Sequence, residues 1–392
     1  MAIAEKIKEW MDKSSWIRKM FEEGSALQAR YGVENVFDFT LGNPDLEPPE
    51  LFTKVLKQKV GEQIAGSHGY MPNAGYPETR KSVADYLSRE NKVEITKDQV
   101  VMTCGAGGAL NVVLKTLLNP GEEVIILVPY FVEYLFYVSN HGGCCKQVNT
   151  RDDFSLDLSA IEKAISSKTK ALIINSPNNP TGRVYDEESL KNLGELLERK
   201  SDETGNTIYL ISDEPYGKII YDGIKLPSVL SSYRNSILVT SYSKELSIPG
   251  ERIGFVAVNP QAQPLDELME GMVFCNRTLG FVNAPALMQR AVNNLQGISV
   301  DVSVYQKRRD FLCNSLESFG YRFVKPEGAF YLFPQTPIDD VEFVRGLQTK
   351  NILTVPGRGF GMPGFFRIAY CVSESVIEKS LDGFREIAEK YK

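Results

Sequence analysis

The chain of 392 residues is 43% hydrophobic and 24% charged, with a net charge of −6, which suits a globular enzyme with a large core and two domains. Charges are spread without long runs, arguing against nucleic acid as an obligatory partner. Six cysteines without a CxxC pair, and only two histidines, argue against a zinc site or a disulfide framework and predict a reducing, cytoplasmic setting.

The first residues alternate charge with apolar side chains and lack a signal peptide's apolar core. Ile3, Ile7, Trp10 and Met11 share one face of a predicted helix, and Ser15 is the candidate cap of a second, 16–30. Residues 36–41 read as a strand stopped by Gly42-Asn43-Pro44-Asp45, a turn where Gly42 would let main chain approach a ligand closely. Tyr70 precedes a loop that leads into a helix with Pro77 in its first turn. Residues 99–103 read as a strand, and Cys104-Gly105-Ala106-Gly107-Gly108 then opens an apolar helix to about residue 118.

Glycines at a strand-to-helix turn leave N–H groups free for phosphate. A dinucleotide fingerprint fails here, because its third glycine position is Leu110 and no acidic residue ends the next strand, 124–128. Residues 124–138 form the most apolar long stretch, but Pro129 and Glu133 interrupt it and it is too short to span a bilayer. Phe131 follows that strand, where it would stack on a flat ring or fill the core.

From there helices (159–166, 187–200) alternate with strands (171–175, 207–212, 237–240, 253–258), the pattern of a parallel sheet with right-handed crossovers. Its carboxyl edge would gather Asn179 of Asn178-Asn179-Pro180-Thr181-Gly182, Asp213 and Tyr216 of Asp213-Glu214-Pro215-Tyr216, and Lys244 of Ser241-Tyr242-Ser243-Lys244. A lysine desolvated at such an edge loses its proton and forms Schiff bases. Ser241 and Arg252 could bind a phosphate beside it. Helices 284–296, 299–319 and 375–391, with strand-like 321–324, 328–333 and 365–370, give a later α+β region. Arg367 within Phe365-Phe366-Arg367-Ile368-Ala369 is either an edge-strand arginine facing water or a buried clamp for a carboxylate.

These motifs, in this order from about Phe37 to the C-terminus, resemble the class I/II aminotransferases, pyridoxal 5′-phosphate (PLP) enzymes of fold type I. The resemblance implies an α/β fold: a three-layer α/β/α large domain with a mostly parallel sheet over 47–294, and a smaller α+β domain from 1–46 and 295–392. It implies transfer of an amino group from an L-amino acid to a 2-oxo acid in two half-reactions. Lys244 would hold PLP as a Schiff base and move the proton; Asp213 would pair with the pyridinium nitrogen; Tyr216 and Asn179 would bond the phenolic oxygen. Ser241, Arg252 and the N–H groups of Ala106 and Gly107 would bind the phosphate, and Phe131 would stack on the ring. Arg367 would grip the substrate α-carboxylate beside Gly42 and Asn179. Tyr70 would reach the phosphate of a neighbouring subunit, implying a homodimer with shared sites.

The substrate side chain stays open. One bacterial branch of aspartate aminotransferases reads the distal carboxylate with a lysine where this chain has Gly107; another uses a partner's arginine, near which Arg277 falls. Tyr130, Phe131 and Tyr134 would equally suit a larger apolar side chain. Two alternatives share the lysine and aspartate: a C–S β-lyase and an enzyme like aminocyclopropane-carboxylate synthase. A third, a PLP-binding regulator without turnover, would need a DNA-binding head that the stretch before Phe37 has no room for.

Overall fold

The computed structural model describes residues 3–391 except 14–19, 21–22 and 25–26. After a short strand β1 (Phe37–Asp38), seven segments build one sheet: β2 (Val100–Thr103), β3 (Glu123–Val128), β4 (Cys144–Asn149), β5 (Thr169–Asn175), β6 (Tyr209–Asp213), β7 (Ser236–Ser241) and β8 (Gly254–Val258). Their spatial order is β2-β8-β7-β6-β5-β3-β4. From β4 to β7 every neighbouring pair is parallel, whereas β8 runs antiparallel to both β7 and β2. The sequence led us to expect a parallel partner there. No crossover helix separates β7 from β8, so the chain can only turn back and pair the other way.

Side chains alternate between the two sheet faces. Met102, Ile125, Leu172, Leu210, Leu238 and Phe255 enter one core. Val101, Ile126, Ile173, Ile211, Val239 and Val256 enter the other. Both faces are therefore apolar and both are covered by helices, a three-layer α/β/α arrangement. The helix Glu187–Thr204 covers one face with Leu190, Leu193 and Leu197. The helix Gly105–Leu117 covers the other with Ala109, Val112, Val113 and Leu117.

A separate core gathers Tyr305, Leu312, Phe330, Phe343, Phe366, Ile368 and Phe384. It lies between helices Val302–Ser318, Asp340–Gln348 and Glu374–Lys390 and a small antiparallel sheet. That sheet has the order β11 (Val355–Pro356), β12 (Phe366–Ala369), β9 (Tyr331–Leu332). β1 pairs in parallel with β10 (Ile352–Leu353), tying the early chain to the late one.

Several expected elements differ in extent. The strand read over 36–41 is only β1, residues 321–324 form no strand, and 328–333 contracts to β9. Helices Glu50–Gly61, Leu265–Thr278 and Asp340–Gln348, and the edge strand β4, were not anticipated. The first helix runs Glu5–Lys13, and Trp10 packs on Phe136 with ring centroids 5.1 Å apart, while Ile3, Ile7 and Met11 stay exposed. The second helix expected over 16–30, with its cap Ser15, lies largely outside the described residues. Among the described residues no helix is long and apolar enough to cross a membrane.

Candidate active site

Parallel neighbours β5, β6 and β7 end side by side, so Asn175, Asp213 and Ser241 stand at one sheet edge. The turn after β2 brings in Ala106 and Gly107, and β12 and β9 deliver Arg367 and Tyr331 from the smaller sheet. Together these residues line a cleft of about 310 Å³. Gly42, Phe131, Asn179, Tyr216, Lys244 and Arg252 line it as well. Of the residues singled out from sequence, Tyr70, Tyr130 and Arg277 fall outside this cleft, Tyr130 being buried against Gly361. Tyr70 is 94% exposed, and Arg277 lines another groove with its guanidinium 5.3 Å from the Phe274 ring.

Lys244 lies on the loop between β7 and β8, and its Nζ donates to the Gly42 carbonyl at 2.6 Å. That contact requires Gly42, since a Cβ there would overlap the Tyr331 hydroxyl. Burial, with help from Arg367 and Arg252, pulls the Lys244 amine down to about 8; the nearby Cys371 opposes this. The amine is therefore neutral, and nucleophilic, in a substantial fraction just above neutral pH.

Asp213 ends β6. Its Oδ2 accepts from the Tyr134 hydroxyl at 2.6 Å, while Oδ1 is buried without a hydrogen-bond partner. Burial pushes the carboxyl up to about 7, against the lowering effect of Tyr134. An unpaired buried acceptor costs roughly 1–3 kcal/mol, so Oδ1 is a site prepared for a cationic or N–H donor. Asn175 steadies the strand end by donating its Nδ2 to the Asp213 carbonyl at 2.8 Å.

The phosphate-like corner is built on close main-chain approach. A Cβ on Gly105 would come within 2.9 Å of Arg252 Nη2, and one on Gly254 within 3.0 Å of the Gly105 Cα. Arg252 has φ +53°, and its Nη1 donates to the Pro249 carbonyl at 3.0 Å. The guanidinium is thus held beside the first turn of Gly105–Leu117, where free N–H groups point outward.

Arg367 resolves the choice left by its sequence: it is 3% exposed. Nη1 donates to Asn179 Oδ1 at 3.0 Å, Nη2 donates to the Thr40 carbonyl, and Nε has no partner. Tyr331 and Phe360 place their rings 4.8 Å from the guanidinium carbon. Its partners are neutral oxygens and ring faces, so a buried cation remains available to an anion. The Tyr216 hydroxyl sits 2.7 Å from that of Tyr331, and burial holds both phenols protonated.

Sequence reasoning missed three tyrosines of this cleft in these positions. Tyr134 was weighed only as a wall for an apolar side chain, yet its hydroxyl bonds Asp213. Tyr331 and Tyr137 carried no motif at all. The spacing of Phe131, Tyr134 and Tyr137 at intervals of three was the available signal, since such residues share a helix face.

Comparison with known proteins agrees with this geometry. The family model described as Aminotransferase class I and II matches residues 34–384. A probable aspartate aminotransferase of Methanocaldococcus jannaschii is 32% identical, covering 96% of this chain and 98% of its own. A probable aspartate/prephenate aminotransferase of Thermus aquaticus is 33% identical over 92% of this chain and 94% of its own. Among solved structures, an amino transferase of Eubacterium rectale superposes with a TM-score of 0.96 at 38% identity, covering 100% of both chains.

The chain belongs to the class I and II aminotransferases. It is a PLP-dependent enzyme that passes the amino group of an amino acid to a 2-oxo acid. The residues present fit that cofactor: an orphaned Asp213 Oδ1 for a ring nitrogen, a lysine with a depressed pKa for an aldehyde, and an N–H and guanidinium corner for a phosphate.

Proposed function

We propose that Asp213, Tyr216 and Lys244 are the catalytic residues of this aminotransferase. In this reading Lys244 engages the cofactor aldehyde, Asp213 the ring nitrogen, and Tyr216 and Asn179 the phenolic oxygen. Phe131 would stack on the ring, while Ser241, Arg252 and the N–H groups of Ala106 and Gly107 would hold the phosphate. Bound there, PLP supplies an electrophilic carbon and an electron sink.

The observation that carries the proposal is the buried, unpartnered Oδ1 of Asp213 in the same cleft as an amine lowered to about 8. A positive ring nitrogen would satisfy Oδ1 and offset the burial that raises this carboxyl. The neutral Lys244 amine would take the proton from the substrate α-carbon and pass it to the cofactor within the same half-reaction, and carry it the other way in the second, so its pKa near neutrality suits both directions. Tyr216, held protonated, donates a hydrogen bond without changing the charge of the site. Arg367, with Asn179 and the Gly42 turn beside it, fixes the substrate α-carboxylate and orients the α-carbon bond that breaks.

The M. jannaschii relative is named for aspartate and the T. aquaticus one for aspartate and prephenate. Here the cations among the described residues lining the cleft are Lys244, Arg252 and Arg367, and each already has a role. A second substrate carboxylate would therefore rely on a group from elsewhere, and Arg277 of a second subunit is the candidate. The exposed Tyr70 and Phe274 support a homodimer in which Tyr70 completes the neighbouring site. We assign 47–294 to the large domain, with 1–46 and 295–392 to the small one. All six cysteines are free, which favours a cytoplasmic setting.

Borohydride reduction of the PLP-loaded protein followed by peptide mass mapping tests the central assignment. Label on Lys244 is expected; label on another lysine would end it. A screen of amino donors against 2-oxoglutarate and pyruvate then identifies the side chain.

A further inference from the structure

One hydroxyl of the cleft has no role in the scheme above. Tyr137 lies on the helix Glu133–Asn140, one turn beyond Tyr134, and both line the cleft. The Tyr134 hydroxyl is committed to Asp213. The Tyr137 hydroxyl has no hydrogen-bond partner among the described residues, and it sits where a side chain on residue 107 would begin. A Cβ built on Gly107 would come within 3.0 Å of it. Gly107 belongs to the first turn of Gly105–Leu117, where the outward N–H groups lie.

We propose that Tyr137 is a further cofactor-binding residue, its hydroxyl donating to the PLP phosphate over the first turn of Gly105–Leu117, in space left by the missing side chain of Gly107. The inference rests on the reading of this cleft as the cofactor site.

Charge balance favours it. Among the described residues lining the cleft, Arg252 is the only cation at the phosphate corner, since Lys244 and Arg367 serve the aldehyde and the substrate. A phosphate near neutral pH carries −1.5 to −2 charge and several acceptor oxygens, so it needs neutral donors besides one guanidinium. Ser241 and two N–H groups supply some, and a phenol adds another without adding charge. Burial, reinforced by Glu133 and Asp213 and opposed by Arg252, pushes Tyr137 up to about 12, so it stays a donor at any physiological pH. The hydroxyl thus feels both Asp213 and Arg252, the groups proposed for the ring nitrogen and the phosphate. Gly107 follows from the same geometry: a Cβ there would crowd the hydroxyl at 3.0 Å and push it aside slightly.

The test measures affinity, not turnover. Apoprotein is titrated with PLP, and separately with inorganic phosphate as a probe lacking the aldehyde, for wild type, Tyr137→Phe, Gly107→Ala and the double variant. Tyr137→Phe should weaken both ligands about tenfold or more, the worth of one hydrogen bond to a charged group. Schiff-base formation on Lys244 should persist at saturating PLP. Gly107→Ala should produce part of the same loss by crowding the hydroxyl, and the double variant should lose less than the sum. Unchanged affinity for both ligands in Tyr137→Phe overturns the proposal, as does weakened PLP with unchanged phosphate, which would assign the hydroxyl to the ring. Absence of borohydride label on Lys244 in the wild type would instead remove the reading on which it rests. Should Tyr137→Phe fail to fold, Gly107→Ala carries the same comparison.

Discussion

Tyr216 and Tyr331 hold their hydroxyls 2.7 Å apart, with their rings edge to face at 5.5 Å between centroids. Tyr216 follows β6 of the large sheet and Tyr331 lies on β9 of the small one, so this hydrogen bond spans the cleft, as does the one from Arg367 to Asn179. It fixes the direction in which the Tyr216 hydroxyl points. Tyr331→Phe should lower kcat/KM about fivefold, the value of one neutral hydrogen bond near 1 kcal/mol. Tyr216→Phe should cost at least as much. The double variant should cost little more than Tyr216→Phe alone, because both changes remove one interaction. Steady-state kinetics on the three variants checks this, and strict additivity would contradict it.

The Lys244 amine offers a pH signature. Its pKa in the apoprotein is lowered to about 8, so the neutral form grows in as pH rises through 8, well before an ordinary lysine near 10.5. The rate at which apoprotein captures PLP covalently should therefore rise with pH, with its midpoint at about 8, and then level off. Stopped-flow absorbance from pH 6 to 10 measures the midpoint; a midpoint near 10.5 would show an exposed amine instead. Lys244→Ala should leave no reducible adduct.

Asp213 makes a prediction about stability. Its folded pKa, raised to about 7, exceeds the usual 3.8. The folded apoprotein therefore holds this proton more tightly than the unfolded chain, and that stabilising contribution disappears as pH rises from about 4 through 7. Asp213→Asn removes the buried charge while keeping the shape. The apo variant should melt above wild type at pH 8, and the difference should vanish near pH 4. Calorimetry on apoproteins tests the sign. Catalysis should move the opposite way, falling by about a hundredfold or more as the ring nitrogen loses its counter-charge.

Arg367→Ala should raise the KM for amino donors by about a hundredfold, as expected for two charge-assisted hydrogen bonds, with PLP still bound. Absorbance of the cofactor and kinetics on one sample separate the two effects. Loss of PLP with unchanged KM would assign Arg367 to the cofactor.

Tyr70 tests the dimer. Mixing Tyr70→Phe subunits with Lys244→Ala subunits should restore about a quarter of normal activity on a wild-type scale if each site borrows the partner's tyrosine and random pairing yields half hybrids with one intact site each. Sedimentation on the same mixture reports the assembly. A monomer, or no recovery when Tyr70→Phe alone is impaired, would contradict sharing.

Most of the large sheet was legible in sequence because β3, β5, β6, β7 and β8 are continuous apolar runs with both faces buried. β4 was not, because Cys-Cys-Lys-Gln-Val-Asn at a sheet edge has Val148 as its only buried residue. Periodicity alone sees no strand there. The short strands of the smaller sheet were misjudged in length because their hydrophobicity serves a shared core rather than a ladder. At the site, Asp213, Lys244 and Arg367 stood out because charge in an apolar context demands a reason. Tyr134, Tyr137 and Tyr331 did not, since a tyrosine in a core is ordinary until its hydroxyl is located.

The ladder between β6 and β7 pairs Asp213 with Val239, two residues before Ser241. The spacing between Asp213 and the end of β7, three residues before Lys244, is thus set by main-chain geometry rather than by the connecting segment 214–235. Lengthening that segment should be tolerated as far as the reacting groups are concerned. Adding one residue inside either strand would turn its terminal side chain to the opposite side of the sheet. Diversification of such enzymes has freedom in their surface crossovers and almost none in the count of residues along two short strands.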